Sequence, residues 1–177
     1  MERQDTLLQY FEDHDGCAPD SELAKHQKMA HSPFQFFRGS APLMYRDLAG
    51  QVIHLPEALS DIPVTTIMGD CHTSNFGFLS EEGSHGETVV FSPNDFDDAC
   101  FGHASWDLLR FLVSLPLAHA EAAQIQADSD CEKLKTKPLA DEQQIHSAQQ
   151  AFLQSLSQAF FPPLEVNDST VFIPLTE

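Results

Sequence analysis

Two short segments of this sequence carry side chains that could support metal-assisted phosphoryl chemistry. The first reads G-D-C-H-T-S-N-F-G over residues 69–77, and the second reads N-D-F-D-D over residues 94–98. Phosphoryl transfer needs a carboxylate that orients the attacking hydroxyl group, and oxygen ligands that hold Mg²⁺ against the phosphates. Asp70, Asn75 and Asp95 supply that set, and the same oxygen ligands suit Mn²⁺.

Short apolar runs must position these segments. A β-branched run and two further apolar runs predict strands over residues 63–68, 76–79 and 88–91. The first strand ends at Gly69-Asp70, and the other two flank a Gly/Ser/Glu-rich hairpin loop over residues 80–87. This arrangement brings Asp70, Asn75 and Asp95 near one another.

Helical patterns dominate the rest of the chain. Capping residues and apolar spacing predict helices over residues 3–13, 21–31, 41–49, from 105 onward, and 141–160. Residues 119–140 are weakly patterned and are predicted to be an exposed connector or helix, and residues 171–173 resemble a strand. We therefore predict an α+β fold, mainly helical, in which residues 1–177 form a single domain and a small antiparallel hairpin carries the site.

Composition limits the classes of partner. The 9 Lys and Arg residues against 27 Asp and Glu residues give a formal charge of -18, which repels nucleic acid and anionic membranes. The N-terminus has no basic region followed by an apolar one, and no apolar run approaches the ~20 residues of a membrane span. We expect a cytoplasmic protein with neither nucleic acid nor a membrane as partner.

Two further residues stand out by their surroundings. Cys71 lies inside the first segment, and a small buried filler is a better explanation for it than a nucleophile. Arg38 follows Phe36 and Phe37 in an aromatic-rich segment that ends in a turn. A buried arginine needs an anionic partner, so we expect Arg38 to pair with a carboxylate of the site or of the Asp107 helix.

Taken together, the motifs resemble a known superfamily. G-D-x-H-x-x-N, then D-F-D-D-A, then G-x-x-x-W-D-L are similar to the catalytic core of aminoglycoside and choline phosphotransferases, which are relatives of protein kinases. The chain resembles still more closely a bacterial family, domain of unknown function 2252, which carries S-P-F-x-F-x-R-G, G-D-x-H-x-x-N-F-G and N-D-F-D in this order. The resemblance covers residues 32–114.

The resemblance implies roles for individual residues. Asp70 would be the catalytic-loop base and His72 would brace that loop, while Asn75 and Asp95 would be metal ligands. Asp107 would anchor the backbone of the catalytic loop, although an ordinary first-turn carboxylate is the alternative.

Two other parts of the site stay open. Asp97 and Asp98 would either assist the metal or be solvated loop carboxylates. Arg38 is the candidate for binding the phosphates of a cofactor, and Lys133, Lys135 and Lys137 form the basic cluster that could take this part instead.

The sequence also departs from a working kinase. Kinases hold ATP under a glycine-rich loop and with a strand lysine that precede the catalytic loop. Here 69 residues precede Asp70, they are mostly helical in pattern, and no G-x-G-x-x-G occurs. In the resembled family these elements follow the catalytic segment, so the chain is a truncated piece, a degenerate relative or one half of a composite site.

The expected function is therefore that of a large-lobe-like part of a protein-kinase-like fold. It would transfer phosphate from ATP to a hydroxyl of a small molecule or protein, with Mg²⁺ or Mn²⁺. ATP would bind only if the missing elements come from elsewhere, for example from a complementing lobe or a homo-oligomer.

Two alternatives use the same motifs. Reading D-x-H at Asp70 as a binuclear metallophosphoesterase motif would also require a downstream G-N-H followed by Asp or Glu, and then a G-x-H pair. No G-N-H occurs in the sequence. The other alternative is a non-catalytic kinase-like interaction module.

Overall fold

The computed structural model of the chain describes residues 3–60, 62–83 and 85–160. The chain divides into two compact units, Met1–Leu139 and Ala140–Glu177. Its described residues form eight α-helices and two small antiparallel sheets, which confirms the predicted α+β, mainly helical class. None of the described helices is long and apolar enough to cross a bilayer.

Four helices form the N-terminal part of the first unit. They are α1 Arg3–Asp15, α2 Ala24–Met29, α3 Pro33–Gly39 and α4 Ala41–Ala49. The aromatic-rich segment is helix α3, because Pro33 occupies its first turn and the Ser32 hydroxyl accepts a hydrogen bond from the Gln35 N–H at 3.0 Å. A buried cluster joins these helices and contains Tyr10, Phe11, Met29 and Leu43.

Four strands form two ribbons, each of which consists of two antiparallel strands. The short helix α5, Glu57–Ser60, precedes them, and the strands are β1 Val64–Ile67, β2 Phe76–Ser80, β3 Val89–Pro93 and β4 Cys100–His103. β2 pairs with β3 as predicted, and β1 pairs with β4 in an antiparallel register that runs from Val64 opposite His103 to Ile67 opposite Cys100. The sequence did not predict β4.

This pairing places the two motif-bearing segments opposite each other. Residues 68–75 connect β1 to β2, and residues 94–99 connect β3 to β4. The two ribbons are thus joined by two loops, one from β1 to β2 and one from β3 to β4, and these loops lie opposite each other. We call residues 68–75 the catalytic loop and residues 94–99 the facing loop.

A long helix lies beside this ribbon. Helix α6 runs from Ala104 to Asp128 and continues through Pro116. It contacts β1, β4 and the 3-10 turn Thr73–Asn75 of the catalytic loop. Residues 119–128 of the predicted connector or helix therefore belong to α6, and the short helix α7, Glu132–Lys135, follows.

The second unit consists of helix α8, Glu142–Phe160, within the part that the structure describes. Its start is closed by a reciprocal cap, in which Asp141 accepts from the Gln144 N–H at 2.8 Å and Gln144 accepts from the Asp141 N–H at 2.9 Å. The strand predicted over residues 171–173 lies outside the described residues, and the single-domain prediction remains untested.

Candidate functional site

The facing loop approaches the first motif at two glycines, Gly69 and Gly77. A Cβ atom on Gly69, which has φ +82°, would lie 2.0 Å from the carbonyl oxygen of Asp98. A Cβ atom on Gly77 would lie 2.8 Å from the Asn94 side-chain amide. At Gly69 the close atom belongs to the backbone, so only glycine permits this approach. At Gly77, which lies in β2, the close atom is the end of a side chain that could shift. Gly69 is therefore the point where the two loops pack most closely.

Hydrogen bonds fix the same approach. The Asn94 N–H donates to the Asn75 carbonyl at 3.0 Å. Asn75 is buried, and its side-chain amide donates to the Asp70 carbonyl at 3.0 Å. Asp70, Asn75 and the residue before Asp95 are therefore linked in one chain of contacts, which confirms the predicted convergence of the two loops at the level of the backbone.

One face of α6 holds the catalytic loop at three successive points. The Asp107 carboxylate accepts the N–H groups of Met68 at 2.7 Å and Gly69 at 3.3 Å. The Ser114 hydroxyl accepts the Thr73 N–H at 3.0 Å. The prediction that Asp107 anchors the loop backbone is confirmed.

Arg110, which lies between Asp107 and Ser114 on α6, makes the remaining contact with the catalytic loop. Its guanidinium donates from Nε to Asp70 Oδ1 at 2.8 Å and from Nη2 to the same oxygen. Nη2 also donates to the Phe37 carbonyl at 2.6 Å, and the guanidinium carbon lies 4.1 Å from the centre of the Phe37 ring. Arg110 is 0% exposed, so Asp70 is the partner that compensates its buried charge.

Asp70 is consequently held as a carboxylate. Its side chain is 17% exposed, and burial alone would raise its pKa, but His72 and Arg110 outweigh that effect and leave the pKa of Asp70 below its usual value. A carboxyl group with a lowered pKa is a weak base. Asp70 is thus better suited to orienting a hydroxyl group than to removing its proton in advance.

His72 packs behind this carboxylate. It is 1% exposed, its Nε2 lies 3.3 Å from Asp70 Oδ2, and its ring meets the edge of Phe34. These contacts support the expected bracing role. Its Nδ1 is buried without a hydrogen-bond partner among the described residues.

Tyr45 gives the loop one more hydrogen bond, and burial raises the pKa values of three groups around the loop. The Tyr45 hydroxyl donates to the Gly69 carbonyl, and burial raises the pKa of that phenol well above its usual value. Burial also raises the pKa of Asp107, and the two N–H groups that it accepts oppose this rise without cancelling it. Burial raises the pKa of the Cys71 thiol to about 12, so Cys71 is a buried filler, as predicted, and not a thiolate nucleophile.

The expected pairing of Arg38 is wrong. Arg38 is half-buried and makes no ion pair within the described residues, and its guanidinium lies 5.9 Å from the centre of the Phe34 ring. Arg110 has the carboxylate partner instead. The sequence signal for Arg110 is its spacing, because Asp107, Arg110 and Ser114 are polar residues three and four positions apart on one face of an apolar helix.

The carboxylates of the facing loop are exposed. Asp95, Asp97 and Asp98 all lie at the surface, and Asp95 Oδ1 accepts the Asp97 N–H at 3.3 Å. Within residues 3–60, 62–83 and 85–160, no three His, Cys, Asp or Glu side chains cluster as a metal site. An amide and one or two carboxylates remain as the donor set.

The stretch of sequence that carries both loops is acidic. The sequence contains neither Lys nor Arg between Arg46 and Arg110, and Arg110 is paired with Asp70. The loops therefore carry no unpaired cation of their own for a phosphate group.

Comparison with protein-family models gives a match that covers most of the chain. The family model described as "Uncharacterized protein conserved in bacteria (DUF2252)" matches residues 18–155. This region includes both loops, both ribbons and the whole of α6. Neither a curated protein nor a solved structure matches the chain at a significant level.

Proposed function

The chain belongs to the DUF2252 family of proteins conserved in bacteria, and from the loop geometry inside the matched region we propose that it is the catalytic-loop part of a kinase-like phosphotransferase. The reaction would move the γ-phosphoryl group of ATP to a hydroxyl group of a small molecule or protein. The hydroxyl oxygen would form the new bond to phosphorus, the bond to the ADP oxygen would break, and the hydroxyl proton would pass to the Asp70 carboxylate as the new bond forms.

The convergence of the two loops is the observation that carries this proposal. The Asn75 side-chain amide donates to the backbone carbonyl of Asp70, and the backbone carbonyl of Asn75 accepts from the N–H of Asn94, directly before Asp95. An orienting carboxylate and oxygen ligands from a second loop are the parts that phosphoryl transfer requires.

The donor set fits a hard divalent cation. Asn75 and Asp95 would hold Mg²⁺ or Mn²⁺, with Asp97 as a further ligand, and Asp95 and Asp97 are exposed carboxylates. Once bound, the metal would neutralise charge on the phosphates. Mg²⁺ sites of one or two carboxylates are usually completed by substrate phosphates, so binding without nucleotide should be weak.

The other site residues would act by position. Asp70 would accept the hydrogen bond of the acceptor hydroxyl through Oδ2, because Arg110 donates twice to Oδ1, whereas Oδ2 has one neighbouring donor, His72 Nε2 at 3.3 Å, and a lone pair left over. His72 and Arg110 would keep the carboxylate in that orientation and ionised. Asp107 and Ser114 would hold the loop backbone.

A non-catalytic kinase-like interaction module is the second candidate. The tight pairing of Asp70 with Arg110 and the absence of Lys and Arg from residues 47–109 favour it. The two candidates differ in whether any form of the protein shows turnover that depends on Asp70.

We expect Mn²⁺ to mark both loops. In a titration followed by NMR, amide signals of the catalytic loop and the facing loop should broaden in the wild type, because paramagnetic relaxation acts on nuclei close to the ion. Asp95→Asn should lose this effect, whereas Asp20→Asn, which removes an exposed carboxylate before α2, should keep it. Equal broadening in Asp95→Asn would contradict the metal assignment.

We also expect the 177-residue chain alone to show no ATP turnover that depends on Asp70. Positioning and charge stabilisation supply most of such catalysis, and the loops lack a cation that could hold the phosphates. Wild type and Asp70→Asn, both checked for folding by circular dichroism, should give the same rate. Asp70-dependent turnover by this chain would show that it holds a complete site.

The same comparison made with any longer native form of the protein would decide between the two candidates. Turnover by that form that is lost in Asp70→Asn supports the phosphotransferase. If neither form turns over ATP in an Asp70-dependent manner, the interaction module is the better description.

A further inference from the structure

A row of aromatic rings leads from α6 out to the surface of the β2–β3 hairpin. The Phe76 ring lies 5.0 Å from that of Phe111 on α6 and 5.8 Å from that of Phe91 on β3. Phe91 in turn lies 5.1 Å from Phe78, its direct partner across the ribbon. The row starts on α6, the helix that supports the catalytic loop, and ends at Phe78, which is exposed on the surface of the hairpin.

The outer end of this row is open. Phe78 is 78% exposed and Phe91 is 57% exposed, and Val89 extends the same face of the ribbon. We call the face formed by Phe78, Val89 and Phe91 the aromatic face. Contiguous exposed apolar surface of this kind, bordered by polar residues, is typical of interaction sites.

The border of the aromatic face is acidic at both ends of the ribbon. Glu81, Glu82 and Glu87 lie at the closed end of the hairpin and are exposed. Asp95 and its neighbours in the facing loop lie at the open end. Because residues 47–109 contain neither Lys nor Arg, no positive side chain from this part of the sequence offsets that border.

We propose that the aromatic face docks a separate polypeptide whose apolar strip is flanked by Lys or Arg residues. The apolar strip would cover Phe78 and Phe91, and the flanking cations would meet the acidic border. Charge complementarity of this kind selects the partner and raises the association rate, while the buried aromatic rings supply most of the affinity.

A second copy of the chain does not satisfy this requirement. Each copy carries a formal charge of -18 and would bring the same acidic border to the contact. Like charges that face each other across an interface oppose association. The occupant is therefore expected to be a different, basic polypeptide surface.

The test uses two short peptides of equal length. In one, Leu and Lys alternate, and in the other, Leu and Glu alternate, so both can present one apolar side. Binding of each fluorescently labelled peptide to the full chain is measured by anisotropy at low and moderate salt. The Lys peptide should bind, and its affinity should fall with salt, whereas the Glu peptide should not bind.

Variants then locate the contact. Phe78→Ser and Phe91→Ser should each weaken binding of the Lys peptide roughly tenfold or more, because buried aromatic anchors dominate such interfaces. Phe101→Ser is the matched control, because Phe101 is an equally exposed aromatic on the other ribbon, and it should leave binding unchanged. Glu82→Gln with Glu87→Gln should weaken binding and reduce its salt dependence.

Three results would overturn the proposal. Equal binding of both peptides would show that charge does not select the partner. Unchanged binding in Phe78→Ser would show that the peptide binds elsewhere. Self-association that is lost in Phe78→Ser, without binding of either peptide, would show that a second copy covers the face. Light scattering of the wild type and this variant measures that outcome directly, and circular dichroism confirms that each variant is folded.

Discussion

Replacing Arg110 with methionine should lower the free energy of unfolding by about 3–5 kcal/mol, because it leaves Asp70 as a buried carboxylate without its cation. The guanidinium also loses its bond to the Phe37 carbonyl and its contact with the Phe37 ring. Methionine retains an apolar side chain, so most of the loss reports the charge and the hydrogen bonds. Urea unfolding followed by circular dichroism measures it.

Arg46→Met is the matched control. Arg46 pairs with Asp13 at 3.3 Å, and both side chains are exposed, so its loss should cost less than about 1 kcal/mol. Asp70→Asn combined with Arg110→Met should cost less than the sum of the two single changes, because neither partner is then left alone. Strict additivity would show that the pair is not coupled.

The cost of Arg110→Met should also depend on pH. In the wild type the pKa of Asp70 is lowered, so this carboxylate stabilises the folded state at neutral pH, and the contribution is lost as pH falls through its folded pKa. Without Arg110, burial would raise the pKa of Asp70, and its protonation would relieve the unpaired charge. The difference between wild type and variant should therefore be largest near neutral pH, and it should shrink as the pH falls from the raised pKa of the variant to the lowered pKa of the wild type.

Gly69→Ala should destabilise the protein far more than Gly83→Ala. Both glycines have a positive φ, +82° and +84°, so both substitutions carry the backbone penalty of roughly 1–2 kcal/mol. Only at Gly69 would the new Cβ meet another atom, the Asp98 carbonyl oxygen at 2.0 Å, and nothing lies within 4 Å at Gly83. Separation of the loops should add about 1–3 kcal/mol, as overpacking does elsewhere.

The same pair of variants reports on the site. NMR signals of the facing loop should shift in Gly69→Ala and stay in place in Gly83→Ala. If the two substitutions cost the same, the close approach of the catalytic and facing loops would be contradicted.

Local signals explain why part of the structure could be predicted from the sequence. The hairpin β2–β3 and helix α4 were predicted nearly to the residue, because alternation, turn residues and a proline at the helix start lie within each segment. Strand β4 was missed because its four residues, Cys100–His103, have no distinctive pattern. They form a strand only because they pair with β1, which precedes the β2–β3 hairpin in the sequence.

The two arginines show the same limit for the site. Arg38 and Arg110 both lie among phenylalanines and leucines, and local sequence predicts burial for each equally well. What distinguishes them is the position of Asp70, forty residues from Arg110 along the chain, which the fold brings to 2.8 Å from its Nε. The convergence of Asp70, Asn75 and Asp95 was predictable because a hairpin joins them, whereas the supporting residues Tyr45, Arg110 and Ser114 come from helices whose packing no local pattern specifies.

The spacing of the three α6 residues that hold the catalytic loop has a consequence for how the family can vary. Asp107, Arg110 and Ser114 span two helical turns, and a helix turns by about 100° per residue. A single inserted residue between Asp107 and Arg110 would rotate Arg110 and Ser114 away from the loop while Asp107 stayed in contact. Insertions and deletions should therefore be excluded from this stretch of α6, and D-x-x-R-x-x-x-S becomes a criterion for recognising other chains that hold their catalytic loop in the same way.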